Sequence, residues 1–335
     1  MTAAYLSLTQ VELERRADLA YEIYRICRVC PHACEVNRID GDTGFCGQSD
    51  TLHISSSVAH FGEEPPLVGT RGVGNLFVSA CNMRCDYCQN YQISQEWISS
   101  SKKSKKEAYN SYDQTAEKML RLQEQGVHFI GWVSPSHVVP GLLKSLALAR
   151  GKGLRLPIVY NTNSYDSIQT LQLLDGIVDI YLPDLKYADQ AIARDLSHIK
   201  EYPEFSRQAI LEMYRQVGPL SVNEQGLAES GVLVRHLILP GHLQETWETL
   251  CFVALELSTS VPLSLMSQYR PVYKSVLDRK ITSQEYEQAT AWANELGFES
   301  LFLQSLESEV HNLPDFSKPD DPFPLDRTRN SINAG

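Results

Sequence analysis

The chain has 335 residues, 43% of them hydrophobic, enough for one sizeable core or a barrel with an appendage. Its 30 Lys and Arg against 41 Asp and Glu leave a net charge of −11, which speaks against a nucleic-acid or anionic-membrane binder, because phosphate contact needs clustered cations. No apolar run has the length of a membrane span, and the opening MTAAYLSLTQVELERRADLA carries acids where a secretory leader has a basic patch and an apolar block, so cytoplasmic residence is the expectation.

That opening stretch reads as an amphipathic helix. After it, Cys27 to Gly47 shows little periodicity and holds Cys27, Cys30, Cys34 and Cys46 in the spacing C-x2-C-x3-C-x11-C, with His32 between them. Gly41, Gly44 and Gly47 give the backbone freedom to turn around an ion. In a reducing compartment such crowding points to metal rather than disulfides. Four thiolates would close a zinc site or hold an iron–sulfur centre, and spacing does not separate the two. Residues 1–70 are thus expected to form a helix and a Cys-rich metal-binding segment.

The stretch EEPPLVGTRGVG leads into a first strand at Leu76–Ala80. Directly after it stand Cys81, Cys85 and Cys88, spaced C-x3-C-x2-C, with Tyr87 before the last. A loop at the C-terminal end of a strand is where α/β barrels place their chemistry. Three thiolates can hold one face of a four-iron cube and leave the fourth iron open to a small molecule. A structural zinc would need a fourth ligand, which the N-terminal segment could supply. The run Lys102–Lys106 reads as a solvated loop.

From there apolar runs alternate with helical patterns, as in βα units. Strands are expected at Val127–Val133, Pro157–Asn161, Ile177–Leu182, Val232–Leu239 and Pro262–Ser267, with a weaker candidate at Ser300–Leu303. Helices are expected over Asp113–Gln125, capped by Asp113, and near 137–150, 203–217, 244–257 and 283–296. The pattern suits a parallel barrel, closed or partly open, or a doubly wound sheet. Cys251 sits in an apolar helical run as a buried structural thiol. Residues 71–310 form this main unit, and 311–335, rich in Pro, Asp and Asn, a surface tail.

The Cys81–Cys88 motif is that of the radical S-adenosylmethionine (SAM) superfamily. The stretches CRVCPHACEVNRIDGDTGFCG, PPLVGTRGVGNLFVSACNMRCDYCQNYQIS, GWVSPSHVVPG, YNTNSYD, LLDGIVDIYLPDLKYAD and LVRHLILPG, in order from residue 21 to 275, resemble proteins related to pyruvate formate-lyase activating enzyme. The resemblance implies an α/β fold, a partial (β/α)6 TIM-like barrel, with a [4Fe–4S] cluster on Cys81, Cys85 and Cys88. It implies SAM at the open iron, cleaved reductively to a 5′-deoxyadenosyl radical that abstracts hydrogen from a substrate. It also implies an electron donor such as flavodoxin or ferredoxin, and a protein substrate of the glycyl-radical type.

Candidate SAM contacts follow. Most relatives carry a Gly-Gly-Glu element after the second strand; this chain has Ser134, Ser136 and His137 there, with a capped helix start as the plain alternative. Asn161 and Asn163 offer amides after the third strand, or simply form a turn. Asp184 and Lys186 resemble the Asp-x-Lys of activating enzymes, Lys186 facing the SAM carboxylate and Asp184 holding it; a structural ion pair is the alternative. Arg235 and His236 point to opposite faces of one strand, and Arg235 is favoured as the inward one. Gln268 and Tyr269 stand where activating enzymes carry a histidine, so no catalytic residue is assigned. A reading of another class is an iron–sulfur or zinc protein of electron transfer, without SAM cleavage, in which both cysteine sets are closed.

Overall fold

Apolar runs buried on both faces make parallel strands covered by helices, and the computed structural model, which describes residues 2–100, 109–306 and 313–323, builds its sheet from such runs. β1 (Ile54–His60) lies antiparallel beside β2 (Val73–Val78). β3 (Phe129–Val133), β4 (Ile158–Thr162) and β5 (Ile180–Pro183) then follow in parallel. The short β6 (Ser221–Val222) pairs with β7 (Ala228–Val232), which joins β5 in parallel. At Leu233 the ladder breaks, and β8 (Val234–Leu237) pairs with β9 (Leu263–Met266), itself followed by β10 (Leu301–Leu303). A bridge between Asp184 and Arg235 ties the two ladders together. With β7 and β8 counted as one interrupted strand, six parallel βα units form a partial barrel, and β10 extends it.

Each expected strand is present with shifted ends, and the reasons are local. The first run stops at Val78 because Ala80 turns into the left-handed region, φ 67°. The helix Tyr112–Glu124 is capped by Ser111, not Asp113, through a reciprocal capping box with Gln114. β1 was not foreseen, since ISSSVAH has few apolar residues.

Trp132, Tyr160 and Tyr181 are fully buried between sheet and helices. The helix Val139–Gly151 is apolar on most of its circumference because the helices Gln10–Glu22 and Tyr112–Glu124 cover it in turn. The opening residues are pinned to the sheet by Asp179, which accepts from the Ala4 and Ile158 amides at 2.7 and 2.8 Å.

The run Lys102–Lys106 and most of the stretch from 311 lie outside the described residues. Within 313–323, Phe316 and Phe323 pack on Phe77 at 5.3 and 5.5 Å between ring centres. Ser56 donates to the Pro319 carbonyl at 2.6 Å. Among the described residues no helix is long and apolar enough to cross a membrane.

Candidate active site

The C-terminal ends of the strands open onto one cavity of about 1270 Å³, its mouth included. Cys81, Cys85 and Cys88 line it, carried on the loop after β2. So do Ser134 after β3, Asn161 on β4, Asn163 just beyond it, Asp184 and Lys186 after β5, and Arg235 on β8. Ser134 is held at φ 57°, a strained backbone for a residue with a side chain.

Each thiol has a hydrogen-bonding neighbour. Cys81 Sγ accepts from the Met83 amide and from Asn163 Nδ2, both at 3.4 Å. Cys85 Sγ accepts from the Ser197 hydroxyl at 2.9 Å, and Cys88 Sγ stands 3.2 Å from Ser94 Oγ. Ser197 continues to Tyr187 and Tyr87, so the loop rests on a buried hydroxyl chain. Burial pushes the Cys81 and Cys85 thiols up to about 12 and 11; a bound metal is what would make them thiolates.

Asn163 faces the cluster loop more than the cavity. Its carbonyl accepts from the Tyr165 amide, and its amide also reaches Asn82 at 2.9 Å. Lys186 Nζ donates to Asp184 Oδ2 at 2.6 Å, both side chains mostly buried. Burial works against the Lys186 charge, yet the Asp184 carboxylate outweighs it and the pKa is raised.

Ser136 and His137 do not reach the cavity. Ser136 Oγ meets Thr162 Oγ1 at 2.9 Å, in a buried group completed by Asp166 and Tyr160. His137 is buried and kept neutral, its pKa lowered to about 3 by burial, and its Nε2–H donates to the Ser79 carbonyl at 3.0 Å. Both side chains are engaged by neighbouring strand ends rather than by the cavity. His236 also points outward, donating to the Leu185 carbonyl at 2.7 Å and bonding Thr246.

The cavity floor was not foreseen. Arg235 lies between Glu63 and Glu64, its Nε donating to Glu64 at 2.9 Å and its Nη2 to Glu63. Asn75 holds Glu63 from β2 at 2.7 Å. Gly131 makes room for this: a Cβ there would stand 2.0 Å from Asn75 Oδ1. Gln268 lines the wall beside Gln304, which bonds it at 3.2 Å. The acidic pair Glu63-Glu64 was visible in the sequence, but its partner lies some 170 residues on.

Cys27, Cys30, Cys34 and Cys46 sit apart from the cavity as free cysteines. Among the described residues no three Cys, His, Asp or Glu side chains stand ready to hold a single ion. That holds for both cysteine sets. Thiolates on separate irons of a cube stand farther apart than ligands sharing one ion, so three thiols lining one cavity wall, each with a hydrogen-bonding neighbour, fit a cluster.

A family model for the radical SAM superfamily matches residues 75–253. An uncharacterized protein of Methanocaldococcus jannaschii is 28% identical over 296 residues, 87% of this chain and 80% of its own length. Streptococcus suis SuiB, solved with its precursor peptide SuiA, superposes with a TM-score of 0.47 at 12% identity, over 70% of this chain and 49% of that one. A radical SAM methyltransferase from Sphaerobacter thermophilus gives 0.46 at 11% identity, over 67% and 63%. The chain thus spans about half the length of the first solved structure and under two thirds of the second.

Proposed function

The chain belongs to the radical SAM superfamily, and from that premise we propose an enzyme related to pyruvate formate-lyase activating enzyme, acting on a hydrogen donor that enters the cavity lined by the Cys81 loop. When bound, the [4Fe–4S] cluster and SAM supply reductive cleavage of SAM and the 5′-deoxyadenosyl radical that takes a hydrogen atom.

The chain's own residues do the rest. Cys81, Cys85 and Cys88 hold the cluster, and hydrogen bonds from Asn163 and Ser197 settle negative sulfur, one lever on its potential. Lys186, oriented by Asp184, is the cation for the SAM carboxylate. Asn161 and Ser134 offer polar atoms to its amino and ribose groups, replacing the absent Gly-Gly-Glu element. Arg235 holds the two floor carboxylates in place, and Met83, Phe77, Val133 and Phe323 exclude water from the wall.

The observation that carries this reading is three thiols after β2 on one cavity wall with the Asp184–Lys186 pair. The ordered resemblance over residues 21–275 supports the finer part: a protein substrate activated at a glycine, and flavodoxin or ferredoxin as the electron source. The test is anaerobic reconstitution with iron and sulfide, followed by SAM and dithionite. The native chain should release 5′-deoxyadenosine, and the Cys81→Ala/Cys85→Ala/Cys88→Ala variant none. A fully loaded cluster that neither binds nor cleaves SAM would remove the reading.

A further inference from the structure

Beside the four N-terminal cysteines lies a charge that, among the described residues, no carboxylate pairs. Arg38 is 1% exposed, with its guanidinium 4.0 Å over the Tyr24 ring. It donates to the carbonyls of Ser49 and His137 at 2.8 and 2.7 Å and stands 3.9 Å from Cys27 Sγ. The groups acting electrostatically on it are Tyr24, Cys46 and Cys27. A buried guanidinium with only neutral partners is strongly unfavourable. Thiolates would supply the missing negative charge, and buried cysteines become thiolates when a metal binds.

The backbone is shaped around these sulfurs. Ala33 and Glu35, flanking Cys34, take left-handed φ values of 41° and 57°. The Phe45 amide donates to Cys34 Sγ at 3.3 Å. A Cβ on Gly44 would come within 2.6 Å of that sulfur, so glycine leaves it room. Cys30 and Cys46 each lie in the field of the other cysteines of the set.

His32 is committed elsewhere. Its Nε2–H donates to the Asn82 carbonyl at 2.8 Å, and its ring stacks on Phe45 at 3.8 Å. Arg84 lies 4.1 Å over the same Phe45 ring, donating to the carbonyls of Phe45 and Cys81. Through His32 and Arg84 the segment is fastened to the loop that carries Cys81.

We propose that Cys27, Cys30, Cys34 and Cys46, not gathered on one ion in the metal-free chain, draw together on binding into a tetrathiolate metal centre, zinc or iron–sulfur, with Arg38 as its buried counter-ion, and that this centre braces the Cys81 loop through His32 and Arg84. The test uses the full chain with Cys81, Cys85 and Cys88 changed to Ala, so that the N-terminal set stands alone. It is purified from zinc-supplemented cells and, separately, reconstituted anaerobically with iron and sulfide. About one zinc per chain, or about four irons with cluster absorption, supports the centre and names its metal. Neither metal, in a chain with native circular dichroism, overturns it.

The otherwise native chain gives a second measurement should that variant misfold. Zinc, or iron beyond what Cys81, Cys85 and Cys88 hold, should disappear with Cys30→Ser or Cys46→Ser; metal content unchanged by both substitutions overturns the centre. The counter-ion is tested by metal release to a chelator. Arg38→Met should release metal roughly tenfold faster, as loss of an outer-shell partner does, and Arg38→Lys close to the native rate. A native rate in Arg38→Met overturns that role.

Discussion

Replacing Arg235 by Met keeps most of the side-chain length, removes the charge, and leaves Glu63 and Glu64 buried without the guanidinium between them. Burial alone pushes the Glu63 carboxyl up, but Arg235, helped by His60 and Asn75, outweighs it and holds the group at about 2 rather than 4.5. That gap corresponds to about 3 kcal/mol, in line with ~3–5 kcal/mol for removing one partner of a buried pair. Because the folded-state pKa is depressed, this contribution is complete above 4.5 and is lost as pH falls through about 2. In Arg235→Met, burial dominates and Glu63 moves above its ordinary value. The deficit is then largest near neutrality and shrinks on acidification, as a proton replaces the guanidinium. Urea denaturation of the metal-free chain, followed by tryptophan fluorescence, should show a loss of about 3–5 kcal/mol at about pH 7.5 and less at about pH 5.5. Adding Glu63→Gln and Glu64→Gln should restore more than half of it, since the three groups act as one unit. A single variant within ~1 kcal/mol of native near neutrality, or a deficit that grows on acidification, would refute the reasoning.

Two further outcomes are expected. Lys186→Met should leave iron loading unchanged while weakening SAM binding roughly 10- to 100-fold, the value of one charge-assisted contact, by calorimetry on the reconstituted protein; unchanged affinity would place the carboxylate elsewhere. Glu285, third residue of the helix Ser283–Glu295, is held at about 2 by Arg279 and by the amides of Thr282 and Gly241. Its contribution is present above 4.5 and lost as pH falls through about 2. With half-exposed Arg279 discounted for screening, Glu285→Ala should cost about 1–2 kcal/mol at neutral pH and progressively less in acid, read from paired denaturation curves.

The strands behind the cavity were legible because each is an apolar run covered on both faces, as at Phe129–Val133 and Ile180–Pro183. β1 escaped because three consecutive serines, Ser55 to Ser57, break its apolar pattern and most of the strand is only partly covered, so that its place is set by pairing with β2. At the site, the cysteine triplet could be read from spacing, and the Asp184–Lys186 pair from its resemblance to an Asp-x-Lys element; alternation put Arg235 and His236 on opposite faces without deciding which one lines the cavity. The roles of Ser136, His137 and Asn163 could not be read. Each has a side chain of the right chemistry at a strand end, but Thr162, Ser79 and the Cys81 loop engage them across the fold. The floor is of the same kind, since Glu63 acquires its meaning only from Asn75 and Arg235.

The antiparallel pairing of β1 with β2 bears on how this protein can be handled. A fragment trimmed to start at residue 71 would retain the cluster cysteines and every parallel strand, yet it would strip β2 of the neighbour that occupies its outer row of amides and carbonyls from Val73 to Val78. A fully buried, mostly apolar strand with that row bare is a template for joining other chains side by side. Such a fragment should collect as aggregate rather than as a minimal enzyme, and the first seventy residues belong in any version meant to stay in solution.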